Sequence, residues 1–93
     1  MEISITVRHT NVPDEIKEKA TELIEKLAKR ANRPQSAKLV LAYEHEKCLA
    51  ELKIHLPAGQ IVVASAEEND FRTALDRMVD RAGAQLDKTA ARF

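Results

Sequence analysis

The sequence predicts an α+β fold, a two-layer β-α-β-β-β-α sandwich with two roughly parallel helices on one face of a four-stranded sheet. Residues 3–7 alternate apolar and polar side chains, which is the period of a half-buried strand. Two longer stretches, 13–31 and 71 onward, repeat apolar residues at helical spacing. Between them lie three short apolar runs separated by turn-like segments, which predict three further strands.

The first strand and first helix meet at a proline. Ile3, Ile5 and Val7 form the apolar side of the strand. Pro13 is suited to the first turn of a helix, and acidic residues follow it where the positive end of the helix dipole favours them. We expect this helix to run from about 13 to 31, because Pro34 restricts the residue before it to extended conformations.

The three middle runs, 37–46, 48–56 and 60–66, are predicted as strands two to four. A turn at 57–60, with Gly59 available for a positive φ, and a weaker one at 46–47 join them. Tight turns make strands two to four antiparallel, and the helix after strand one makes strands one and two parallel. The simplest sheet therefore has the order 1-2-3-4.

Composition limits the possible functions. A chain of 93 residues that is 44% hydrophobic suits one domain, 1–93. Its 15 Lys and Arg balance its 15 Asp and Glu, so electrostatic recognition would have to come from local segregation of charge. A single cysteine excludes an intramolecular disulfide, and no apolar run approaches the ~20 residues of a membrane span. We expect a cytoplasmic, soluble protein without a membrane partner.

Both helices carry sorted charges beside their apolar stripe. In the first helix a basic sector of roughly 60° lies beside the stripe, with glutamates further round, and the second helix repeats the arrangement with aspartates on the opposite flank. The basic sectors are Lys19, Lys26, Arg30 and Arg33 in the first helix and Arg77, Arg81, Lys88 and Arg92 in the second. If the helices are parallel, one basic edge must meet carboxylates of the neighbouring helix. The alternative interpretation is an ordinary solvated surface.

The aromatic residues argue against base stacking. Tyr43, Phe71 and Phe93 all share the phase of core residues, so we assign them to the core. A sheet that binds single-stranded RNA stacks bases on exposed aromatic rings. RNA recognition by this chain would instead use helical Lys and Arg on phosphates.

No catalytic motif is present. Cys48 shares the phase of Ala50 and Leu52, which favours a buried, inert thiol over a nucleophile. The three histidines lack metal-ligand spacing, and two glycines cannot form a phosphate-binding loop. We predict no enzymatic activity, no cofactor, no metal and no small-molecule substrate.

Several segments together resemble one family. They are AlaSerAlaGlu at 64–67, AspPhe at 70–71, ThrAlaLeuAsp at 73–76, GlnLeuAspLys at 85–88, IleSerIleThr at 3–6, Lys26 with Leu27, and ProAlaGly at 57–59. In their order and separations they are similar to the bacterial ribosome hibernation-promoting factors. That family includes ribosome-associated inhibitor A and is also labelled sigma-54 modulation protein.

The resemblance implies binding to 16S ribosomal RNA of the small subunit, in the channel used by messenger and transfer RNA, and inhibition of translation during stress or stationary phase. By position, Lys26, Lys29, Arg81 and Lys88 match the family's RNA-contacting residues. The charge pattern adds Arg30, Arg77 and Arg92 to this predicted RNA-binding set. Without a second domain, the chain resembles the short form, and we expect a monomer off the ribosome.

The chain departs from the family at Ala84, where the last helix usually carries a basic residue. A second hypothesis is a regulatory module that binds a partner protein through the open sheet face and does not bind RNA. We expect Val40, Ala42 and Val62 to supply apolar surface there.

Overall fold

The chain folds into the predicted order of elements. The computed structural model describes residues 1–31 and 33–90. The elements are β1 (Glu2–Arg8), α1 (Asp14–Arg30), β2 (Ser36–Glu44), β3 (Lys47–His55), a short 3-10 turn (Pro57–Gly59), β4 (Ile61–Glu68) and α2 (Phe71–Ala90). The predicted start and end of α1 and the predicted start of α2 agree with the structure within one residue. The hairpin turn falls at His45 and Glu46, one residue earlier than predicted, and both have positive φ there.

The sheet has the predicted order β1-β2-β3-β4. β1 is parallel to β2, starting with Glu2 opposite Ser36, and the other two strand pairs are antiparallel. In the loop before β4 both Ala58 and Gly59 have positive φ, 64° and 76°. The fold class is therefore confirmed, including the crossover of α1 between parallel strands.

The core lies between one face of the sheet and the two helices. Each strand contributes alternate residues to it, because successive side chains of a strand point to opposite faces. The fully buried large side chains are Ile24 and Leu27 of α1, Leu39 and Leu41 of β2, Leu52 and Ile54 of β3, and Leu75 and Met78 of α2. Burial of each such side chain contributes about 1.5–3 kcal/mol. Both helices thus lie on the same face of the sheet, as predicted.

Two of the three aromatic residues, Tyr43 and Phe71, lie in the described part of the chain. Phe71 is partly buried and packs against the core. Tyr43 is 45% exposed, so its assignment to the core is wrong. It has the phase of Leu39 and Leu41, but β1 stops pairing with β2 at Ala42. Tyr43 therefore lies past the end of the neighbouring strand, where less of the molecule covers it. Phe93 lies outside the described residues.

The open face of the sheet also differs from the prediction. Val62 belongs to the core at 3% exposure, so its assignment to the open face is wrong. Its neighbours Ile61 and Val63 occupy that face instead and are 50% and 45% exposed. The sequence run 61–63 is apolar throughout, so alternation gave no phase and only the register with β3 decides it. Neither helix in the described part of the chain could cross a membrane.

Candidate nucleic-acid interface

The two helices lie side by side, point the same way and are joined by three ion pairs. These are Glu15 with Arg72 at 3.7 Å, Lys19 with Asp76 at 3.7 Å, and Arg30 with Asp87 at 2.6 Å. All three pairs join residues 57 positions apart, which is the signature of two parallel helices in a constant register. The basic edge of α1 therefore faces the acidic flank of α2, and the expectation that one basic edge would meet carboxylates is confirmed.

These interhelical pairs are exposed and therefore weak. The side chains of Arg30 and Asp87 are 51% and 68% exposed, and those of Lys19 and Asp76 are 33% and 57% exposed. Exposed ion pairs contribute about 0.2–1 kcal/mol each, because water and salt screen them. A phosphate group could compete for Lys19 or Arg30 at little cost to the stability of the fold.

The side chain of Arg30 lies against the glycine within α2. A Cβ on Gly83 would lie 2.8 Å from Nη1 of Arg30, inside the contact distance of real side chains. The guanidinium therefore crosses α2 over a buried backbone position and donates from Nη2 to Oδ1 of Asp87. This contact cannot be read from the sequence of α2, because Arg30 belongs to the other helix.

The basic edge of α2 faces away from α1 and follows the outer side of β4. Nε of Arg77 lies 3.4 Å from a carboxylate oxygen of Glu68. Nη1 of Arg81 donates to the backbone oxygen of Ser65 at 2.5 Å. Lys88, in the last turn of α2, is exposed. Of the four predicted contacts on this helix, three lie among the described residues, and two of those, Arg77 and Arg81, have partners within the domain.

Three further residues belong to the predicted RNA-binding set: Lys26, Lys29 and Arg92. Lys26 and Lys29 are exposed on α1, and neither they nor Lys88 form an ion pair with any residue that the structure describes. Arg92 lies outside the described residues. The structure therefore leaves Lys26, Lys29 and Lys88 as cations without an anionic partner in the described chain, and it places Arg30 and Arg77 in ion pairs.

Sequence reasoning left two residues out of the site. Asp76 and Asp87 form ion pairs with Lys19 and Arg30 on the basic edge of α1. They therefore determine how much positive charge that edge presents to solvent. The signal was available, because the acidic flank of α2 and the parallel helices together require this contact. What the sequence could not supply was the register that chooses these partners.

The start of α2 is fixed by a side-chain cap. Oδ1 of Asp70 accepts from the backbone N–H of Thr73 at 2.8 Å, and Oδ2 accepts from the Thr73 hydroxyl at 2.9 Å. These hydrogen bonds, the backbone one first, lower the pKa of Asp70 from its ordinary value of 3.8. Capping of this kind satisfies an N–H that the helix itself leaves unpaired.

Cys48 is buried, as predicted. It is 7% exposed, and its Sγ lies 3.7 Å from the backbone oxygen of Asn69. Burial, and then the charge of Asp70, raise the pKa of its thiol. A raised pKa reduces the thiolate fraction at neutral pH, so Cys48 is poorly suited to nucleophilic chemistry. Among the described residues, no three His, Cys, Asp or Glu side chains are grouped to hold a metal ion.

Comparisons with known proteins agree with this architecture. The chain is 30% identical over 88 residues to a ribosome hibernation promoting factor of Azotobacter vinelandii, covering 95% of this chain and 81% of that protein. It is 28% identical to a protein of the same name from Klebsiella oxytoca, covering 92% of that protein. Relatives of similar length thus span nearly the whole chain.

Solved structures show the same fold. The N-terminal domain of Protein Y from Thermus thermophilus superposes with a TM-score of 0.82 at 30% identity, covering 96% of this chain and 99% of that one. A ribosomal subunit interface protein from Coxiella burnetii gives a TM-score of 0.80 at 22% identity, covering 98% and 99%, and supports the fold alone. Residues 3–93 match the family described as sigma 54 modulation protein / S30EA ribosomal protein. The chain therefore belongs to the sigma 54 modulation protein / S30EA ribosomal protein family.

Proposed function

We propose that this protein is a cytoplasmic hibernation factor that binds the small ribosomal subunit and blocks translation under stress or in stationary phase. Its target is 16S ribosomal RNA in the channel of messenger and transfer RNA. The names of its relatives support a ribosomal role, and the charge distribution of the helices supports contact with phosphates. The activity is binding, without a catalytic step.

One observation carries the proposal. Lys26, Lys29 and Lys88 project from the helical layer without an anionic partner in the described chain, although the net charge is zero. Cations that no acidic side chain of the described chain pairs with are available to an external anion. Arg81 adds a fourth cation beside Lys88 on the outer edge of α2. Arg30, Arg77 and Arg92 complete the proposed set; Arg30 and Arg77 would exchange a weak ion pair for a phosphate.

The second candidate is a module that binds a partner protein through the open face of the sheet. The observation in its favour is the exposure of Ile61 and Val63 on that face. Scattered apolar residues are common on protein surfaces, whereas a contiguous apolar patch indicates an interaction site. On that face Val40 is half-buried among Lys38, Glu51 and Lys53, so charged side chains separate it from the apolar surface of β4. Ala42 is only 1% exposed, so its prediction as apolar surface is wrong.

Salt dependence separates the two functions. If about four phosphates are neutralised, the logarithm of the affinity for small subunits should fall with the logarithm of salt concentration at a slope near −3. The measurement is sucrose-gradient co-sedimentation with purified small subunits at several salt concentrations. A flat response would contradict phosphate contacts and favour the open sheet face.

A matched pair of variants locates the contact surface. Replacing Arg81 and Lys88 together by Ala should weaken co-sedimentation severalfold or more and leave the circular dichroism spectrum unchanged, because both side chains are exposed. Replacing Lys38 and Lys53, which oppose each other on the open face, removes the same charge elsewhere. Equal losses for both variants would show a nonspecific charge effect, and loss only for the second would move the site to the sheet.

A further inference from the structure

β4 is an edge strand whose sequence favours pairing with a strand of another chain. It pairs with β3 on one side, and no strand of residues 1–31 or 33–90 lies on its other side. Residues 61–66 are IleValValAlaSerAla, a run without charge or proline that begins with three residues of high strand preference. Such a segment at an open edge is a template for pairing with another chain, and proteins block it in recognisable ways.

Side chains of α2 occupy this edge. The backbone N–H of Val63 donates to Oε1 of Gln85 at 3.3 Å, and Nε2 of Gln85 donates back to the backbone oxygen of Val63. The amide of Gln85 thus makes both hydrogen bonds that a residue of a further strand would make. Two residues along β4, the backbone oxygen of Ser65 accepts from Arg81.

The positions of these contacts follow from strand geometry. In an antiparallel pair, alternate residues direct N–H and C=O toward the partner, and the residues between them direct both groups away from it. Val63 and Ser65 are two such successive outward residues, as the contacts with α2 show. Gln85 and Arg81 are four positions apart, so they project from the same side of the helix.

We propose that the outer edge of β4 is a pairing surface for the β4 strand of a second copy of this chain, which Gln85 and Arg81 keep closed. The edge suits a copy of itself. In an antiparallel pair about a two-fold axis at Ala64, Val63 faces Ser65 of the other copy, and the uncharged run meets itself without repulsion. Pairing would also place the exposed Val63 side chains of the two copies at diagonal positions on one face of the joined sheet.

Within residues 61–66 no side chain of β4 carries a charge, so side chains of α2 must protect this edge. Edge strands are commonly protected by lysine or proline, and residues 61–66 contain neither. The side chains that cover the edge are the neutral amide of Gln85 and the guanidinium of Arg81, both on α2. Gln85 is therefore an edge residue and not a member of the proposed RNA-binding set, although it precedes the basic residue Lys88 by only three positions.

The test is self-association of the 93-residue chain carrying Gln85→Ala, measured by sedimentation equilibrium over a wide protein concentration range. The parent should stay at the monomer mass of 10.4 kDa. Loss of the two Gln85 hydrogen bonds should strengthen dimerisation by roughly tenfold or more, and Arg81→Ala in addition should strengthen it further. Lys88→Ala is the control, since Lys88 is on the same helix and makes no hydrogen bond or ion pair within the described chain.

A rescue variant distinguishes edge pairing from misfolding. Val63→Lys places a charge on the exposed edge, so Gln85→Ala with Val63→Lys should return to a monomer if the strands pair. Monomeric Gln85→Ala and Gln85→Ala/Arg81→Ala at all concentrations would overturn the proposal, and so would association that Val63→Lys leaves unchanged. At dilute concentrations, where it is a monomer, Gln85→Ala should co-sediment with small subunits like the parent. The outcome of the dimerisation test is therefore independent of the proposed function.

Discussion

At the scale of single residues, Gly83 shows how a missing side chain can position a charge. The space that its Cβ would occupy is taken by the guanidinium of Arg30, which then reaches Asp87 at 2.6 Å. A glycine inside a helix costs roughly 1 kcal/mol relative to Ala. Here the cost is offset only by an exposed ion pair, which contributes about 0.2–1 kcal/mol.

We expect Gly83→Ala to be neutral or to raise the free energy of unfolding, by up to about 1 kcal/mol. Only the far end of the flexible Arg30 side chain has to move, and the gain in helix preference exceeds a weak ion pair. Urea denaturation measures the change. In an Arg30→Ala background the substitution should give the full gain of about 1 kcal/mol, and a loss above about 2 kcal/mol in either background would show a clash with backbone.

Tyr43 shows the limit of residue-scale prediction. Alternation placed it with Leu39 and Leu41, and alternation is correct about the face of the sheet. Burial additionally requires the neighbouring strand to continue beside that position, and β1 ends opposite Ala42. The end of a neighbouring strand is a property of the sheet and cannot be read from the phase of one strand.

At the scale of elements, α2 depends on its first turn. No acidic residue lies within that turn, so the favourable charge at the positive end of the helix is the capping carboxylate of Asp70. The segment AsnAsp at 69–70 before an apolar helical pattern is a readable start signal, and the structure places the helix start at Phe71.

Asp70→Asn should lower the thermal midpoint at neutral pH, because Asn caps without the negative charge. The pKa of Asp70 is lowered in the folded state, so its contribution is present above its unfolded value near 3.8 and is lost as pH falls through the folded value. Thermal unfolding by circular dichroism from pH 7 to 2 should therefore show the two proteins converging below about pH 4. Asp80→Asn, in the middle of α2, is the control, and a constant difference at all pH values would contradict the capping role.

At the scale of the whole molecule, charge is arranged by the pairing of the helices. The net charge is zero, yet the acidic flank of α2 neutralises one edge of α1 and leaves the outer edge of α2 and part of α1 cationic. The register of the two helices thus decides which cations an external phosphate can reach. This arrangement predicts that neutralising the aspartates of α2 that pair with α1 will strengthen binding to small subunits.

Asp76→Asn with Asp87→Asn should release Lys19 and Arg30 and tighten association with small subunits severalfold. The salt slope should steepen by about 1–2, since up to two more phosphates can be neutralised. The stability lost should be about 0.2–1 kcal/mol per pair, because both pairs are exposed. Co-sedimentation at several salt concentrations provides the measurement.

The matched control is Glu22→Gln with Glu25→Gln. It changes the net charge equally but removes acids of α1 that form no ion pair within the described part of the chain. Equal tightening by both variants would mean that only the overall field matters. No tightening by the aspartate variant would show that Lys19 and Arg30 do not reach phosphate.

The sequence by itself determined the strand and helix order, the sheet order and the two sorted helices, because these follow from local periodicity, turn chemistry and the handedness of a parallel crossover. It also indicated Lys26, Lys29, Arg81 and Lys88 as the cations to examine; their contact with RNA remains a prediction. Only the tertiary structure decided which cations are paired, what lies against Gly83, which face Val62 occupies and what closes the edge of β4. These depend on the register between α1 and α2, between β3 and β4, and between α2 and the edge of β4. Register is set by packing between elements distant in sequence, and a local pattern carries no information about it.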